Sequence, residues 1–259
     1  MIELLRRDSA DFGRFAVSNS YDGILPLDSS SFAARLDAVE NRLQQVVART
    51  GRKRSDITLV AVAKKFSAER IREAYYAGLR DFGENYVQEF AAKKPFLTDL
   101  QQARFHLIGH LQSNKARLAC DLFDVIETAD SSKALEKLDR SLQENGRQMN
   151  ILFEIKLSAE QSKTGASPNE IPQLLASAAR CSQLNVTGLM TIPPWSEDAE
   201  ASRPYFRQLA ALARQYGLPQ LSMGMSNDFE VAIEEGATII RVGTALFGPR
   251  PKPQTTSPA

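Results

Sequence analysis

The strongest constraint on the fold is a regular alternation of strand-like and helix-like segments along the chain. Eight short apolar runs, many of them rich in β-branched residues, predict strands at 57–63, 80–85, 105–110, 123–130, 150–156, 185–191, 220–225 and 238–248. Helical segments lie between them, and a further amphipathic helix precedes the first. Such alternation produces right-handed βαβ units and a parallel sheet, which is the α/β class. Eight units predict a single closed (β/α)8 TIM barrel.

An open, doubly wound sheet is the alternative arrangement of the same units. Its usual dinucleotide motif, G-x-G-x-x-G after the first strand, is absent from the sequence. The barrel is therefore preferred, and we expect it to occupy residues 29–248. Residues 1–28 mix Ser, Asp, Gly and Pro without a clear period and are expected to form a loosely packed or disordered extension. Residues 249–259 are rich in Pro and polar residues and are expected to be a disordered tail.

The charge and cysteine content argue for small-molecule chemistry. The 32 basic and 31 acidic residues nearly cancel, and no stripe of Lys or Arg is present, so neither nucleic acid nor membrane is an expected partner. The sequence has no secretory signal and no run of ~20 apolar residues, which predicts a cytoplasmic protein. Cys120 and Cys181 lie far apart without C-x-x-C spacing, which favours reduced thiols over a disulfide or a zinc site.

Polar residues collect at the C-terminal ends of the predicted strands, where a barrel of this kind builds its site. Phosphate in such barrels is commonly held by the loops after strands seven and eight. The segment GMSND supplies the hydroxyl of Ser226 there, and RVGT supplies Gly243 and Thr244. Together the two segments predict a site for a phosphate monoester.

A lysine at the end of strand one, combined with such a phosphate site, indicates pyridoxal 5′-phosphate as the cofactor. Its aldehyde forms a Schiff base with a neutral amine, and an apolar environment favours that neutral form. Two adjacent lysines, Lys64 and Lys65, end strand one. Arg241 is always charged and can only donate, so beside the pyridine nitrogen it would leave that nitrogen unprotonated. A salt bridge from Arg241 to an outer helix is the alternative.

Six segments occur in an order and spacing that resemble one known family. They are AVAKKF (61–66), FGENYVQE (82–89), FHLIGHLQSNK (105–115), SKTG (162–165), SMGMSND (222–228) and RVGTALFG (241–248). They resemble the pyridoxal phosphate homeostasis protein family, also called the proline synthetase co-transcribed family. The resemblance runs from about residue 32 to 250 and implies a fold-type III barrel similar to the N-terminal domain of alanine racemase.

The resemblance also assigns residues, position by position. It makes Lys64 the Schiff-base lysine and places Arg241 at the pyridine nitrogen. The other implied cofactor-binding residues are Ser226, Gly243 and Thr244 at the phosphate, Asn85 and Met223 near the ring, and His110 and Lys163 as rim candidates only. The chain departs from the family in two places: Ala63 replaces the usual Ser before the lysine, and Lys65-Phe66 replaces the usual Thr-Lys after it.

The implied function is intracellular homeostasis of pyridoxal 5′-phosphate, a form of vitamin B6, without established catalytic turnover. Expected partners are the cofactor, other B6 vitamers and, transiently, enzymes that depend on the cofactor, for a chain that is a monomer or weak homodimer. A racemase on the same barrel is the main alternative. It would need a second base, for which Lys163 and His110 are the candidates. A barrel that binds another phosphorylated metabolite non-covalently is a third hypothesis.

Two further groups of residues were weighed for chemistry. His106 and His110 form H-x-x-x-H, but on a strand they lie about 13 Å apart, which is too far for one metal ion. No metal site is therefore expected. The carboxylates Asp81, Glu84 and Glu89 form no evident acid–base pair and are expected to belong to a solvated or salt-bridged surface.

Overall fold

The computed structural model of the protein describes residues 31–158 and 164–249. Eight parallel strands pair in sequence order, and the first also pairs with the last, so the sheet closes into a barrel. The strands are β1 (Thr58–Val62), β2 (Asp81–Glu84), β3 (Arg104–Leu107), β4 (Val125–Ala129), β5 (Met149–Glu154), β6 (Leu184–Met190), β7 (Gln220–Ser222) and β8 (Ile239–Val242). The predicted (β/α)8 barrel is thus confirmed.

Helices surround the barrel and connect its strands. In the part of the chain that the structure describes, they are α1 (Phe32–Thr50), α2 (Ala68–Tyr76), α3 (Val87–Lys93), α4 (Ala116–Leu122), α5 (Ser132–Asn145), α6 (Ile171–Ala178), α7 (Arg203–Tyr216), α8 (Phe229–Glu234) and α9 (Thr244–Phe247). The Ser31 side chain caps α1 by accepting from the Ala34 amide, and Gly51 ends the helix in the left-handed region, φ 68°. Among the described residues, no helix combines the length and apolar character that crossing a bilayer requires.

The main hydrophobic core lies between the barrel and the helices, not inside the barrel. Outward-facing strand residues such as Phe82, Phe105 and Phe153 are fully buried there, together with helix residues such as Phe90. Inside the barrel, the apolar cluster is small. It contains Val60, Leu152, Met190 and Ile239, with Val125 and Ile192 packed against it. Much of the remaining interior is polar, which is unusual for a barrel whose interior layers are commonly branched apolar residues.

The last predicted strand is shorter than expected. The segment 238–248 divides into β8, which ends at Val242, and α9, which begins at Thr244. The reason is that β1, its pairing partner, offers no ladder beyond Ala61, which pairs with Val242. The ring of Phe247 in α9 instead stacks on Phe66, with 5.0 Å between centroids.

Some predictions fall on residues outside the described part of the chain. The extension 1–28 and the tail after residue 249 lie there, as does Lys163. The proposed domain boundaries therefore stay predictions.

Candidate functional site

A cavity of about 290 Å³ opens at the C-terminal ends of β1, β2, β6, β7 and β8. Its volume is at the lower end of the range for small-molecule pockets. Six of the nine residues that the sequence assigns to the cofactor or its rim line it, namely Lys64, Asn85, Ser226, Arg241, Gly243 and Thr244. Apolar side chains including Val62, Ile108 and Ile192 form part of the wall. Trp195 also lines it and is 76% exposed. An amine, a guanidinium and two hydroxyls therefore share one largely apolar cavity.

Two predicted residues lie elsewhere. Met223 is fully buried and is not among the residues that line the cavity. His110 is exposed and lines a neighbouring polar cavity of about 320 Å³, which shares Asn85 with the first. Its Nδ1 lies 3.5 Å from Oδ2 of Asp130.

The turn after β1 separates the two adjacent lysines. Lys64 is partly buried and faces the cavity, whereas Lys65 is exposed. Lys65 has φ 66°, a left-handed conformation that a lysine adopts at an energetic cost. Its backbone amide donates to Oε1 of Glu89 at 2.6 Å, and Lys93 Nζ donates to the carbonyl of Ala63 at 3.2 Å. Side chains from α3 therefore fix the turn that presents Lys64.

Glu84, Glu89 and Lys93 form what we call the rim cluster. Lys93 Nζ lies 2.8 Å from Oε1 of Glu84 and 2.7 Å from Oε1 of Glu89. Glu84 is fully buried, and its Oε2 has no hydrogen-bond partner among the described residues. Burial raises the pKa of Glu84 to about 7, although Lys93 and Lys64 favour its charged form. A carboxyl that can change its protonation state near neutral pH thus lies beside the turn of Lys64.

Arg241 is buried in β8 and reaches the floor of the cavity. Its Nη1 donates to Oγ of Ser222 at 2.5 Å, and its Nη2 donates to the carbonyl of Thr191 at 2.9 Å. Both partners belong to the barrel, so these contacts are not the outer-helix salt bridge that was the alternative. Burial lowers the pKa of Arg241, and the charge of Glu127 opposes this effect. Because a guanidinium is not deprotonated in proteins, Arg241 remains a cation.

Arg241 and polar side chains from four other strands form what we call the interior chain. Its members are Asp81, His106, Glu127, Ser222 and Arg241. Ser222 Oγ donates to Oε2 of Glu127 at 2.5 Å. His106 lies between two carboxylates, with Nδ1 2.7 Å from Glu127 Oε1 and Nε2 3.0 Å from Asp81 Oδ1. Burial alone would lower the pKa of His106, but its hydrogen bonds to Asp81 and Glu127 raise it to about 9. All five residues are buried.

The loop after β7 is held in place by backbone geometry and by α1. Gly224 has φ 92°, and a Cβ on it would lie 2.5 Å from that of Ala232, so only glycine fits. Arg42 of α1 donates from Nη2 to the carbonyl of Ser226 at 3.1 Å. The hydroxyl of Ser226 accepts from the Ala245 amide at 3.3 Å, which connects the loops after β7 and β8. The two segments predicted to hold a phosphate are therefore neighbours.

The expected surface position of Asp81 and Glu84 is wrong, because both are buried and paired inside the fold. The interior chain and Lys93 were also missed. A signal existed: charged residues in the middle of strands that are otherwise apolar require buried partners. Those partners lie on non-adjacent strands, which strand periodicity does not identify. Among the described residues, no group of three or more metal-ligating side chains is placed to hold a metal ion.

The unpaired polar atoms and the hydrogen-bond donors of the cavity show whether it fits pyridoxal 5′-phosphate. Oδ1 of Asn85 is buried without a hydrogen-bond partner among the described residues, although Asn85 lines the cavity. Buried amide atoms are normally paired, so a polar group in the cavity would satisfy it. The amine, guanidinium and hydroxyl groups match an aldehyde, a ring nitrogen and a phosphate. The residues present fit the cofactor.

Comparisons with known proteins agree with this geometry. The family of the alanine racemase N-terminal domain matches residues 34–251. A pyridoxal phosphate homeostasis protein of Aquifex aeolicus (strain VF5) is 41% identical over 222 residues, covering 83% of this chain and 97% of the relative. The structure of PipY from Synechococcus elongatus PCC7942 with PLP bound is 40% identical, has a TM-score of 0.74, and covers 84% of this chain and 100% of that one.

A more distant structure shares the barrel alone. An alanine racemase of Clostridium difficile 630 is 12% identical with a TM-score of 0.62, covering 86% of this chain and 58% of the racemase. This likeness concerns the fold and not the activity. The family match spans most of the chain, and the chain covers nearly the whole length of the Aquifex aeolicus relative. This protein therefore belongs to the alanine racemase N-terminal domain family and, within it, to the pyridoxal phosphate homeostasis proteins, as its six sequence segments predict.

Proposed function

We propose that this protein binds pyridoxal 5′-phosphate, holds it covalently on Lys64, and serves intracellular vitamin B6 homeostasis without catalytic turnover of its own. One observation carries the proposal: Lys64, Arg241, Ser226 and Thr244 line the same cavity. The relative from Aquifex aeolicus is named for pyridoxal phosphate homeostasis, and PipY has been solved with PLP bound. These names support the same cofactor for this chain.

Each residue has a distinct role in the proposed site. Lys64 provides the amine, and the cofactor supplies an aldehyde that condenses with it. Arg241 donates to the ring nitrogen, and Ser226, Thr244 and the backbone of Gly243 hold the phosphate. Asn85 hydrogen-bonds the ring substituents. Because Arg241 keeps the ring nitrogen unprotonated, the ring is a weak electron sink, which favours holding the cofactor over transforming amino acids.

The covalent assignment is tested by reduction and mapping. Protein loaded with pyridoxal 5′-phosphate should show a visible absorbance band, and borohydride followed by peptide mapping should find the label on Lys64. Lys64→Ala should lose the label, whereas the matched variant Lys65→Ala should keep it. A label on Lys65, or no label on the loaded wild-type protein, would contradict the proposal.

The absence of turnover is tested against the racemase alternative. Loaded protein is incubated with each L-amino acid, and the product is analysed by a chiral assay. We expect no sustained formation of D-amino acid. His110 lines the neighbouring cavity and faces Asp130, which does not favour it as a second base. Sustained racemisation that Lys64→Ala abolishes would overturn the non-catalytic assignment.

The proposal extends to phosphorylated B6 vitamers that lack the aldehyde. Pyridoxine 5′-phosphate offers the same ring nitrogen and phosphate to Arg241, Ser226 and Thr244 but cannot react with Lys64. We expect it to compete with pyridoxal 5′-phosphate and to bind Lys64→Ala about as well as the wild-type protein. Equilibrium dialysis with both vitamers measures this; failure of pyridoxine 5′-phosphate to compete would restrict the site to the aldehyde form.

A further inference from the structure

The interior chain connects the floor of the cavity to the opposite end of the barrel. It begins at Arg241 and passes through Ser222, Glu127 and His106 to Asp81, with consecutive polar atoms 2.5 to 3.0 Å apart. At the far end, the exposed Arg104 lies 2.8 Å from Oδ2 of Asp81. Such an arrangement is costly to bury, and replacement of buried ion pairs by apolar residues is often neutral or stabilising. Its position directly behind a cavity-lining residue indicates a purpose at the site.

Hydrogen-bond chemistry and the shifted pKa values of Glu127 and His106 together assign a donor and an acceptor to each bond in the chain. A guanidinium can only donate, so the Ser222 hydroxyl accepts from Arg241 and must donate its own proton to Glu127. Glu127 accepts as a carboxylate, because its partners His106, Arg241 and Ser222 lower its pKa despite its burial. Both ring nitrogens of His106 face carboxylates, and these hydrogen bonds raise its pKa to about 9 although burial opposes this. At neutral pH each ring nitrogen therefore carries a proton, and the ring is a cation. Two buried cations thus alternate with two buried carboxylates, and their charges cancel.

The consequence for Arg241 is a fixed position and a fixed charge. Two of its nitrogens donate hydrogen bonds, one to the hydroxyl of Ser222 and one to the carbonyl of Thr191. Among the nearby carboxylates, Glu127 contributes most to stabilising the charge of the buried guanidinium. Glu127 is in turn held by His106, and neither of the two can move without leaving a buried charge unpaired. The guanidinium is therefore prevented from rotating away from the cavity floor.

We propose that Ser222, Glu127 and His106 are positioning residues, which hold Arg241 as a rigid, charged donor toward the ring nitrogen of the bound cofactor. This inference rests on the proposed function, because it requires the cofactor ring to meet Arg241. It goes beyond that function by assigning the state of the ring nitrogen to residues that do not line the cavity. A chain with the same Lys64 and Arg241 but a broken interior chain would hold the cofactor loosely.

The test uses full-length protein loaded with pyridoxal 5′-phosphate carrying ¹⁵N in the ring. Ser222→Ala removes one oxygen atom, and Glu127→Gln keeps the shape while reversing one hydrogen bond. Ser222→Thr is the conservative variant, which keeps a hydroxyl at this position. The matched control is Asp139→Asn: Asp139 is also a buried carboxylate, but it lies in α5 outside the barrel and accepts from Gln143 and the Gln183 amide. The readouts are the ring ¹⁵N chemical shift, the Kd for the cofactor and the Tm.

We expect Ser222→Ala to weaken binding about tenfold, as the loss of one charge-assisted hydrogen bond implies, and to move the ¹⁵N shift toward that of the free cofactor. Glu127→Gln should move the shift in the same direction. Ser222→Thr, which keeps a hydroxyl, should have the wild-type ¹⁵N shift. Asp139→Asn should lower the Tm and leave the shift and the Kd unchanged. A purely structural role would make both Ser222→Ala and Glu127→Gln behave like Asp139→Asn.

The inference is overturned if Ser222→Ala and Glu127→Gln keep the wild-type ¹⁵N shift and Kd. A poorly folded Glu127→Gln does not weaken the test, because Ser222→Ala reads the same contact. Failure of the proposed function has a different signature: wild-type protein would itself show no visible band and no borohydride label. The two results are therefore distinguishable.

Discussion

The interior chain and the rim cluster are both buried ionic groups, yet they differ in how completely they are paired. In the interior chain, each titratable group meets an oppositely charged or hydrogen-bonding partner, and the pKa of Glu127 is lowered by His106 and Arg241 despite its burial. In the rim cluster, Glu84 leaves one oxygen unpaired, and burial raises its pKa to about 7. The first arrangement fixes charges, whereas the second allows one charge to change. The fixed group lies behind Arg241 and the changeable group lies beside Lys64.

The largest effect is expected from breaking the fixed group. Glu127→Ala leaves the cations of His106 and Arg241 without their shared carboxylate, and we expect the free energy of unfolding to fall by about 3–5 kcal/mol. Urea denaturation at pH 7 measures it. Glu200→Ala, which removes a 59% exposed partner of Arg203, is the control and should have a much smaller effect, because exposed ion pairs are screened by solvent. Similar losses for both variants would mean that the interior chain is not a tightly coupled unit.

The second prediction concerns the pH dependence of the changeable group. Because the pKa of Glu84 rises from 4.5 to about 7 on folding, its stabilising contribution is complete below pH 4.5 and is lost as the pH rises to about 7. The unfolding free energy of the wild type minus that of Glu84→Gln should therefore fall by about 3 kcal/mol across this range. Denaturation at several pH values measures the difference.

A control of opposite sign is available for this titration. The pKa of Glu235 is lowered by its hydrogen bonds to Arg207 and Arg203, so its contribution is present above its ordinary pKa and lost in acid. The wild type minus Glu235→Gln difference should stay flat between pH 4.5 and 7. A flat difference for Glu84→Gln as well would show that Glu84 keeps an ordinary pKa.

The third prediction compares the loss of a cation from the rim cluster with the loss of Glu127. Lys93→Met removes the bonds to Glu84, Glu89 and the Ala63 carbonyl. Glu84 is already mostly neutral at pH 6, because its pKa is about 7, and the loss of Lys93 raises that pKa further. No unpaired charge is therefore buried, and we expect a loss of only about 1–3 kcal/mol at pH 6. Urea denaturation with the exposed Lys133→Met as control measures it. A loss equal to that of Glu127→Ala would remove the distinction between the two groups.

The smallest effect is expected at the turn that the rim cluster fixes. Glycine adopts the left-handed conformation of Lys65 without the steric cost, although it also loses more freedom on folding. We expect Lys65→Gly to raise the free energy of unfolding by about 0.5 kcal/mol. Lys65→Val should lower it, because a β-branched residue fits this conformation poorly. Equal stability of the two variants would show that the turn relaxes without Lys65.

The alternation of segments was sufficient to predict the barrel, the order of its strands and the end of the barrel at which the cavity opens. The motifs at the strand ends and the family resemblance, not the alternation, selected the six predicted cofactor residues that line one cavity. The alternation could not predict the interior chain, because barrel strands are buried on both faces and their periodicity does not tell the interior from the helix side. Whether Asp81 meets solvent or His106 depends on a neighbouring strand. The unpaired oxygen of Glu84 depends equally on Lys93, a residue of the next helix.

The pairing of β1 with β8 has a consequence for the protein while it is being synthesised. Val60 pairs with Arg241, so the strand that precedes Lys64 receives its partner only after almost the whole barrel has been synthesised. Contacts this distant in sequence close late and slowly. A nascent or truncated chain that ends before β8 would present Lys64 without Arg241, Gly243 or Thr244. The proposed binding site is therefore complete only in a chain that has been synthesised through β8.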